Sequence, residues 1–170
     1  VLAAADIAAD AGVPVILDPA PAPAIPLPSG LYRCASFMTP NEIEASQLTG
    51  LAVRDELSAA AAAEHLRSAS QKCVIITLGR AGAFFCSADD RYLVPGFKVK
   101  ACDTTAAGDA FNAGFAVALG AGGTTFDAIT QGCAAGALAA SRLGAQSSLP
   151  TRDDLKRFIR ENALPLSPAK

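Results

Sequence analysis

The sequence predicts an α/β fold: a doubly wound, mainly parallel sheet with helices on both faces. Two observations carry that reading. Short apolar runs closed by turn residues alternate with Ala-rich stretches of helical length, the pattern of strand-helix units wound onto one sheet. A meander follows, and the chain then ends in three helical segments. The 170 residues suffice for one substantial core and are too few for two comfortable domains, so 1–170 reads as a single domain.

Taken in order, Leu2 to Ala11 reads as an amphipathic helix stopped by Gly12. Val13-Pro14-Val15-Ile16-Leu17-Asp18 is a short apolar run after that stop and reads as a buried parallel strand. Pro19 to Gly30 carries too many prolines for a helix interior or a central strand. A brief strand near Ala35 to Met38 leads into Thr39-Pro40-Asn41-Glu42 and a helix through Leu48. Thr39 or Asn41 can cap that helix, and Pro40 suits an early helical position. Asp55 to Ser70 is helical by composition, and Lys72 to Leu78 is a β-branched strand closed by Gly79. Ala83 to Cys86 and Arg91 to Val94 flank the polar turn Ala88-Asp89-Asp90 as a hairpin. Phe97 to Cys102 is strand-like. Helices are expected at about 107–119, 125–140 and 151–162.

Composition removes several function classes. A net charge of −2 gives no electrostatic basis for holding nucleic acid or an anionic membrane. The sequence has no bilayer-length apolar run and no signal-peptide layout. The five cysteines (Cys34, Cys73, Cys86, Cys102, Cys133) form no C-x-x-C pair and lack metal spacing. They read as small buried hydrophobes of a reducing compartment, so a cytoplasmic location is expected. The one histidine, His65, lies on an Ala-rich helix with no second His or Cys nearby, a surface position. The chain enters at Val1 directly in a helix, which fits a fragment of a longer protein.

Chemistry concentrates in Asp103-Thr104-Thr105-Ala106-Ala107-Gly108-Asp109. Small residues open directly into a helix, which leaves backbone N–H groups free at a helix N-terminus, where the dipole favours an anion. Asp109 lies in the first turn of that helix. An acid there fits a phosphate-holding turn if it removes a proton from a nucleophile while the N–H groups of Ala106, Ala107 and Gly108 receive a phosphoryl group. The competing reading is a tight turn with an ordinary N-terminal helix acid.

Three more segments have two readings each. Asn41 and Glu44 share one face of a helix start: an amide there can touch phosphate and a carboxylate can hold Mg²⁺, or Asn41 merely caps and Glu44 is a helix acid. Thr77-Leu78-Gly79-Arg80-Ala81-Gly82 can bring backbone close to a nucleotide with Arg80 along its phosphates or ribose, or be a plain turn between strands. Ser141 to Pro150 is too polar and Gly-broken to continue the preceding helix, and reads otherwise as a C-cap with a polar loop.

Together these segments resemble the ribokinase-like (PfkB) carbohydrate kinase family. Asp103 to Asp109 is similar to its D-T-x-G-A-G-D signature, with Ala106 at the first Gly and Asn112 also matching. Thr39 to Glu44 resembles T-P-N-E-x-E, and Thr77 to Gly82 resembles T-L-G-x-x-G. Arg142-Leu143-Gly144-Ala145-Gln146-Ser147-Ser148-Leu149-Pro150 resembles the R-x-G-A-Q-x-S-x-P run of the ribokinase group, and Asp18-Pro19-Ala20-Pro21-Ala22 its N-P-A-P-A run with Asp for Asn. The resemblance spans Leu2 to about Ile159 and corresponds to the C-terminal half of a member.

The resemblance implies an ATP-dependent sugar kinase, most closely one that phosphorylates D-ribose, with Asp109 as general base and Ala106 to Gly108 as anion hole. It implies Asn41, Glu44, the Thr77–Gly82 loop, Gly108, Asp109 and Cys133 at the nucleotide, with Mg²⁺, and Cys133 facing adenine. It implies K⁺ held by Asp103, Thr105, Ala139, Arg142, Gly144 and Ser148. The sugar-binding segments and a dimer-forming lid belong to the absent N-terminal half, so a homodimer is expected of the longer protein and little turnover of these residues alone. Another carbohydrate or nucleoside kinase of the family, or a non-catalytic nucleotide-binding module, are the alternatives. A dinucleotide oxidoreductase lacks its G-x-G-x-x-G after the first strand.

Overall fold

The computed structural model describes residues 1–68 and 72–162. The chain forms two compact units, Val1–Leu78 with Phe84–Tyr92, and Gly79–Ala83 with Leu93–Lys170.

The first unit is built of α1 (Leu2–Asp10), β1 (Ile16–Leu17), α2 (Ser29–Cys34), β2 (Phe37–Met38), α3 (Glu42–Thr49), α4 (Glu56–Ser68) and β3 (Cys73–Thr77). With β4 (Gly82–Cys86) and β5 (Arg91–Pro95), the strands follow the order β1-β2-β3-β4-β5 in a mixed five-stranded sheet. β1 runs parallel to β2 with Ile16 opposite Phe37, and β2 parallel to β3 with Phe37 opposite Cys73. In β3, Val74, Ile75 and Ile76 are all fully buried, which explains an unbroken apolar run in place of alternation. α4 turns Ala59, Ala62, Ala63 and Leu66 inward at helical spacing and packs on β3. Burial of Leu66 alone contributes about 1.5–3 kcal/mol. Gly50 ends α3 in the left-handed conformation that glycine tolerates.

In the second unit α5 (Ala107–Gly120) packs along α6 (Thr125–Ala140), and α7 (Arg152–Glu161) follows. Thr124 with Asp127 and Thr151 with Asp154 form the capping boxes that open α6 and α7. Leu155 of α7 packs on Ala110, Ala135 and Ala139, and Phe158 lies 5.2 Å from Phe97 between ring centroids.

The expected α/β architecture is observed, with a mixed sheet in place of a mainly parallel one, and its helices start and stop within a residue or two of their expected limits. The end of the expected Asp55–Ser70 helix beyond Ser68 lies outside the described residues. Three expectations are corrected. Of the five cysteines expected to be buried, only Cys86 and Cys133 are; Cys34 and Cys73 are half-buried and Cys102, in the loop before α5, is exposed. Phe97 to Cys102 is not a strand: the N–H groups of Cys102 and Asp103 both donate to the Ala140 carbonyl, at 2.8 and 3.2 Å, instead of to a neighbouring strand. The stretch after the Pro-rich loop, read as leading straight to a strand, first forms α2, whose Leu31 is buried. No side chain caps α2, so burial and not a local signal holds it.

Candidate functional site

In the first unit, the turn before α3 closes on itself. Asn41 Oδ1 accepts hydrogen bonds from the N–H groups of Ile43 at 2.9 Å and Glu44 at 3.0 Å. Glu44 Oε2 accepts the Asn41 N–H at 2.8 Å, completing a capping box around a carboxylate that is nearly buried. Asn41 is therefore the cap, and Thr39, the other candidate, is buried with its hydroxyl unpartnered among the described residues. The amide nitrogen of Asn41 and the second oxygen of Glu44 remain for other partners. Thr77, at the carboxyl end of β3, donates its N–H to the Pro40 carbonyl at 3.0 Å and bridges in parallel to Asn41. The fold thus unites Asn41, Glu44, Thr77 and the buried Leu78, which lie more than thirty residues apart in sequence.

Gly79, Arg80 and Ala81 form a single 3-10 turn in the second unit. Gly82 has φ +110°, and a Cβ there would lie 2.0 Å from the Val94 carbonyl oxygen. That glycine is required by its own neighbouring chain, whatever else the loop contacts. Arg80 and Ala81 are exposed.

The start of α5 is built differently. Ala106, its N-cap residue, holds φ 60° and ψ 11°, the left-handed conformation, and offers no side-chain cap. Among the described residues it is the only non-glycine with positive φ. It occupies the position of the first Gly in the signature noted above, which explains why glycine suits that place. Of the three expected donors, the Ala107 N–H goes to the Thr104 carbonyl at 3.2 Å. The N–H groups of Ala106, Gly108 and Asp109 make no intrachain hydrogen bond among the described residues. A Cβ on Gly108 would meet nothing within 4 Å, and the residue is exposed. Asp109 is exposed beside it.

Asp103 anchors this turn. Its Oδ1 accepts the Thr105 N–H at 2.9 Å and its Oδ2 the Gly144 N–H at 3.0 Å, across 41 positions of sequence. The Thr105 hydroxyl, then the two N–H groups, hold the Asp103 carboxyl below the usual carboxylate range. Thus Asp103, Thr105 and Gly144, three of the expected K⁺ ligands, are brought together. Arg142 donates its N–H to the Ala139 carbonyl at 3.0 Å and its guanidinium to Asp154 at 3.3 Å. Ser148 is fully buried and donates its hydroxyl to the Ala145 carbonyl at 2.7 Å. Among the described residues, no three His, Cys, Asp or Glu side chains cluster as a metal site. The expected K⁺ ligands are mainly carbonyl and hydroxyl oxygens, a donor set of another kind.

Cys133 lies buried in α6, and burial pushes its thiol up to about 12, so it stays a neutral, weakly polar group. The resemblance places Asp103 and Gly144 at one cation; what it does not give is the direct bond from the Gly144 N–H to the Asp103 carboxylate, which spans 41 residues and has no local signal. No helix among the described residues is long and apolar enough to cross a membrane.

Comparison with known proteins gives the family. The profile described as pfkB family carbohydrate kinase matches residues 1–152. Ribokinase of Haemophilus influenzae is 44% identical over 156 residues, covering 92% of this chain and 50% of the relative. The crystal structure of ribokinase from Thermotoga maritima superposes with a TM-score of 0.80 at 38% identity, covering 91% of this chain and 52% of that one. The structure of Arabidopsis thaliana ribokinase complexed with ribose and ATP gives a TM-score of 0.87 at 29% identity, covering 94% and 51%. The chain belongs to the pfkB family of carbohydrate kinases and spans about half the length of the relatives it matches.

Proposed function

We propose that this member of the pfkB family is the ATP-binding, base-bearing half of a ribokinase-type enzyme that converts D-ribose and ATP to ribose 5-phosphate and ADP. The observation that carries the proposal is the start of α5, where open N–H groups at Gly108 and Asp109 adjoin an exposed carboxylate. Asp109 takes the proton of the sugar hydroxyl as that oxygen bonds to the γ-phosphorus and the bond to ADP breaks. The N–H groups of Ala106, Gly108 and Asp109 receive the phosphoryl oxygens as charge redistributes, and one lost donor of this kind costs about 2.7–4 kcal/mol in barrier. Ala107 contributes through the tight turn its N–H makes with Thr104.

The remaining nucleotide roles fall to Asn41, Glu44 and the Thr77–Gly82 loop, with Cys133 as an apolar wall for adenine. The free oxygen of Glu44 fits a water-mediated contact to Mg²⁺, which would neutralise phosphate charge. Asp103, Thr105, Ala139, Arg142, Gly144 and Ser148 would hold K⁺ through carbonyl, hydroxyl and carboxylate oxygens, steadying the loop. Dimerisation and sugar selection belong to the N-terminal half that the relatives carry.

The test joins this chain to such an N-terminal half and measures ADP release by coupled assay with D-ribose, 2-deoxyribose, fructose and a nucleoside. D-ribose is expected to give the highest kcat/KM, and replacing K⁺ by a large organic cation to depress the rate. A preference for another acceptor overturns the substrate assignment, and ATP binding without transfer to any acceptor overturns the reading as an enzyme. The 170 residues alone are expected to give no useful turnover, because positioning and water exclusion need the other half.

A further inference from the structure

The turn that opens α5 has no side-chain cap, so something else must fix its position. The last turn of α6 and the residues just beyond it do so. The Ala140 carbonyl, at the end of α6, accepts N–H groups from both Cys102 and Asp103, the residues that lead into the turn. Gly144, just beyond α6, donates its N–H to the Asp103 carboxylate. At Gly136, one turn before the end of α6, the helix backbone passes directly under the first residue of α5: a Cβ there would lie 3.1 Å from the Ala107 carbonyl oxygen and 3.7 Å from the Phe111 Cβ. The Ala107 carbonyl is backbone of the very turn that presents the open N–H groups, so an added methyl could be accommodated only by lifting that turn or moving α6.

We infer that Gly136 is a positioning residue, and that the C-terminal end of α6 is the clamp that sets the height of the α5 anion-binding turn. This rests on the reading of that turn as a phosphate site. Glycine is a poor choice for a helix interior on propensity grounds, and alanine there would strengthen α6 itself. Its presence at the point of closest approach to Ala107 is explained by the space it leaves. Gly114 and Gly132 also lie at the α5–α6 contact, but their added Cβ atoms would meet Gln131 and the Phe111 ring, lower along the pair and away from the turn. Displacement by a few tenths of an ångström misaligns donors whose value depends on fixed geometry.

The experiment uses the ¹⁵N-labelled chain with inorganic phosphate as probe, following the amide signals of Gly108 and Asp109, alongside thermal unfolding. In the unaltered chain these two amides are expected to shift on titration. In Gly136→Ala the phosphate Kd is expected to rise about tenfold or more, while the unfolding midpoint does not fall. Gly120→Ala, whose added Cβ meets nothing within 4 Å, is expected to leave both unchanged. A Gly136→Ala chain that binds phosphate as before overturns the clamp and leaves the phosphate site standing. A Gly136→Ala chain that fails to fold also overturns it, since the glycine then serves the fold and not the turn. Absence of any shift at Gly108 and Asp109 in the unaltered chain overturns the phosphate reading and the clamp together.

Discussion

The helices α3 and α5 both begin with small or polar residues, yet their first turns are finished in opposite ways. At α3 the sequence supplies its own partners: Asn41 and Glu44 satisfy one another's backbone donors reciprocally, and the carboxylate is buried in doing so. At α5 the cap residue is an alanine in a left-handed conformation, and the N–H groups of the exposed Gly108 and Asp109 make no hydrogen bond among the described residues. A saturated helix start contributes to stability. An open one gives up that contribution of about 1 kcal/mol and keeps its N–H groups for a ligand. The difference separates a turn that satisfies its own donors from a turn that leaves donors unpaired, the feature on which the proposed phosphate site rests.

The largest expected effect that sharpens this contrast is on chemistry. In the protein completed with an N-terminal half, Asp109→Asn is expected to lower kcat by about 10²–10⁴-fold while ATP affinity stays within a few-fold. Because Asp109 is exposed, the unfolding midpoint should hardly move. Equal loss of ATP affinity and rate would make Asp109 structural and break the contrast.

Next in size, Asn41→Ala removes the acceptor for two N–H groups at α3 and is expected to cost about 1 kcal/mol in urea unfolding. A cost near zero would show that the α3 start, too, is effectively open. Ala106→Gly works in the other direction. The left-handed conformation costs a non-glycine residue about 1–2 kcal/mol, and glycine's greater unfolded-state freedom returns about 0.4–1. The net expectation is a gain of about 0.5–1 kcal/mol in the same unfolding measurement, and destabilisation would mean that the turn relies on the alanine methyl.

The smallest effect is on acid stability. Hydrogen bonds from Thr105 and Gly144 lower the pKa of Asp103, and the Thr151 hydroxyl, its N–H and Arg142 lower that of Asp154. The folded chain therefore binds fewer protons at these groups than the unfolded chain. Their contribution is fully present above about pH 4 and is lost as pH falls through the lowered folded values. Both groups are solvent-screened, so the loss is modest. Urea midpoints measured from pH 6 down to pH 2 should decline less in Asp103→Asn and Asp154→Asn; an unchanged slope removes these carboxylates as the cause.

Much of this molecule was legible residue by residue. Asn41, one of two expected caps beside Thr39, marks a helix start because its side chain reaches only two or three residues ahead, and β3 declares itself because an unbroken Val-Ile-Ile run suits a strand buried on both faces. The same local logic misplaced Phe97 to Cys102. Its alternating apolar and lysine residues are strand-like, but its last N–H, with that of Asp103, goes to a helix carbonyl nearly forty residues away. It also missed α2, whose formation rests on the burial of Leu31.

What the sequence by itself determined, then, is the alternation of elements, the capped start of α3, and the residue types gathered around Asp109, all of which depend on neighbours within a turn or two. The tertiary structure alone decided which of the α5 N–H groups is taken up by the turn, that the Gly144 N–H bonds the Asp103 carboxylate directly, that Thr77 bridges to Asn41, and that Gly136 passes beneath Ala107. Those are distances between segments far apart in the chain. Packing fixes them, and no local propensity can encode them.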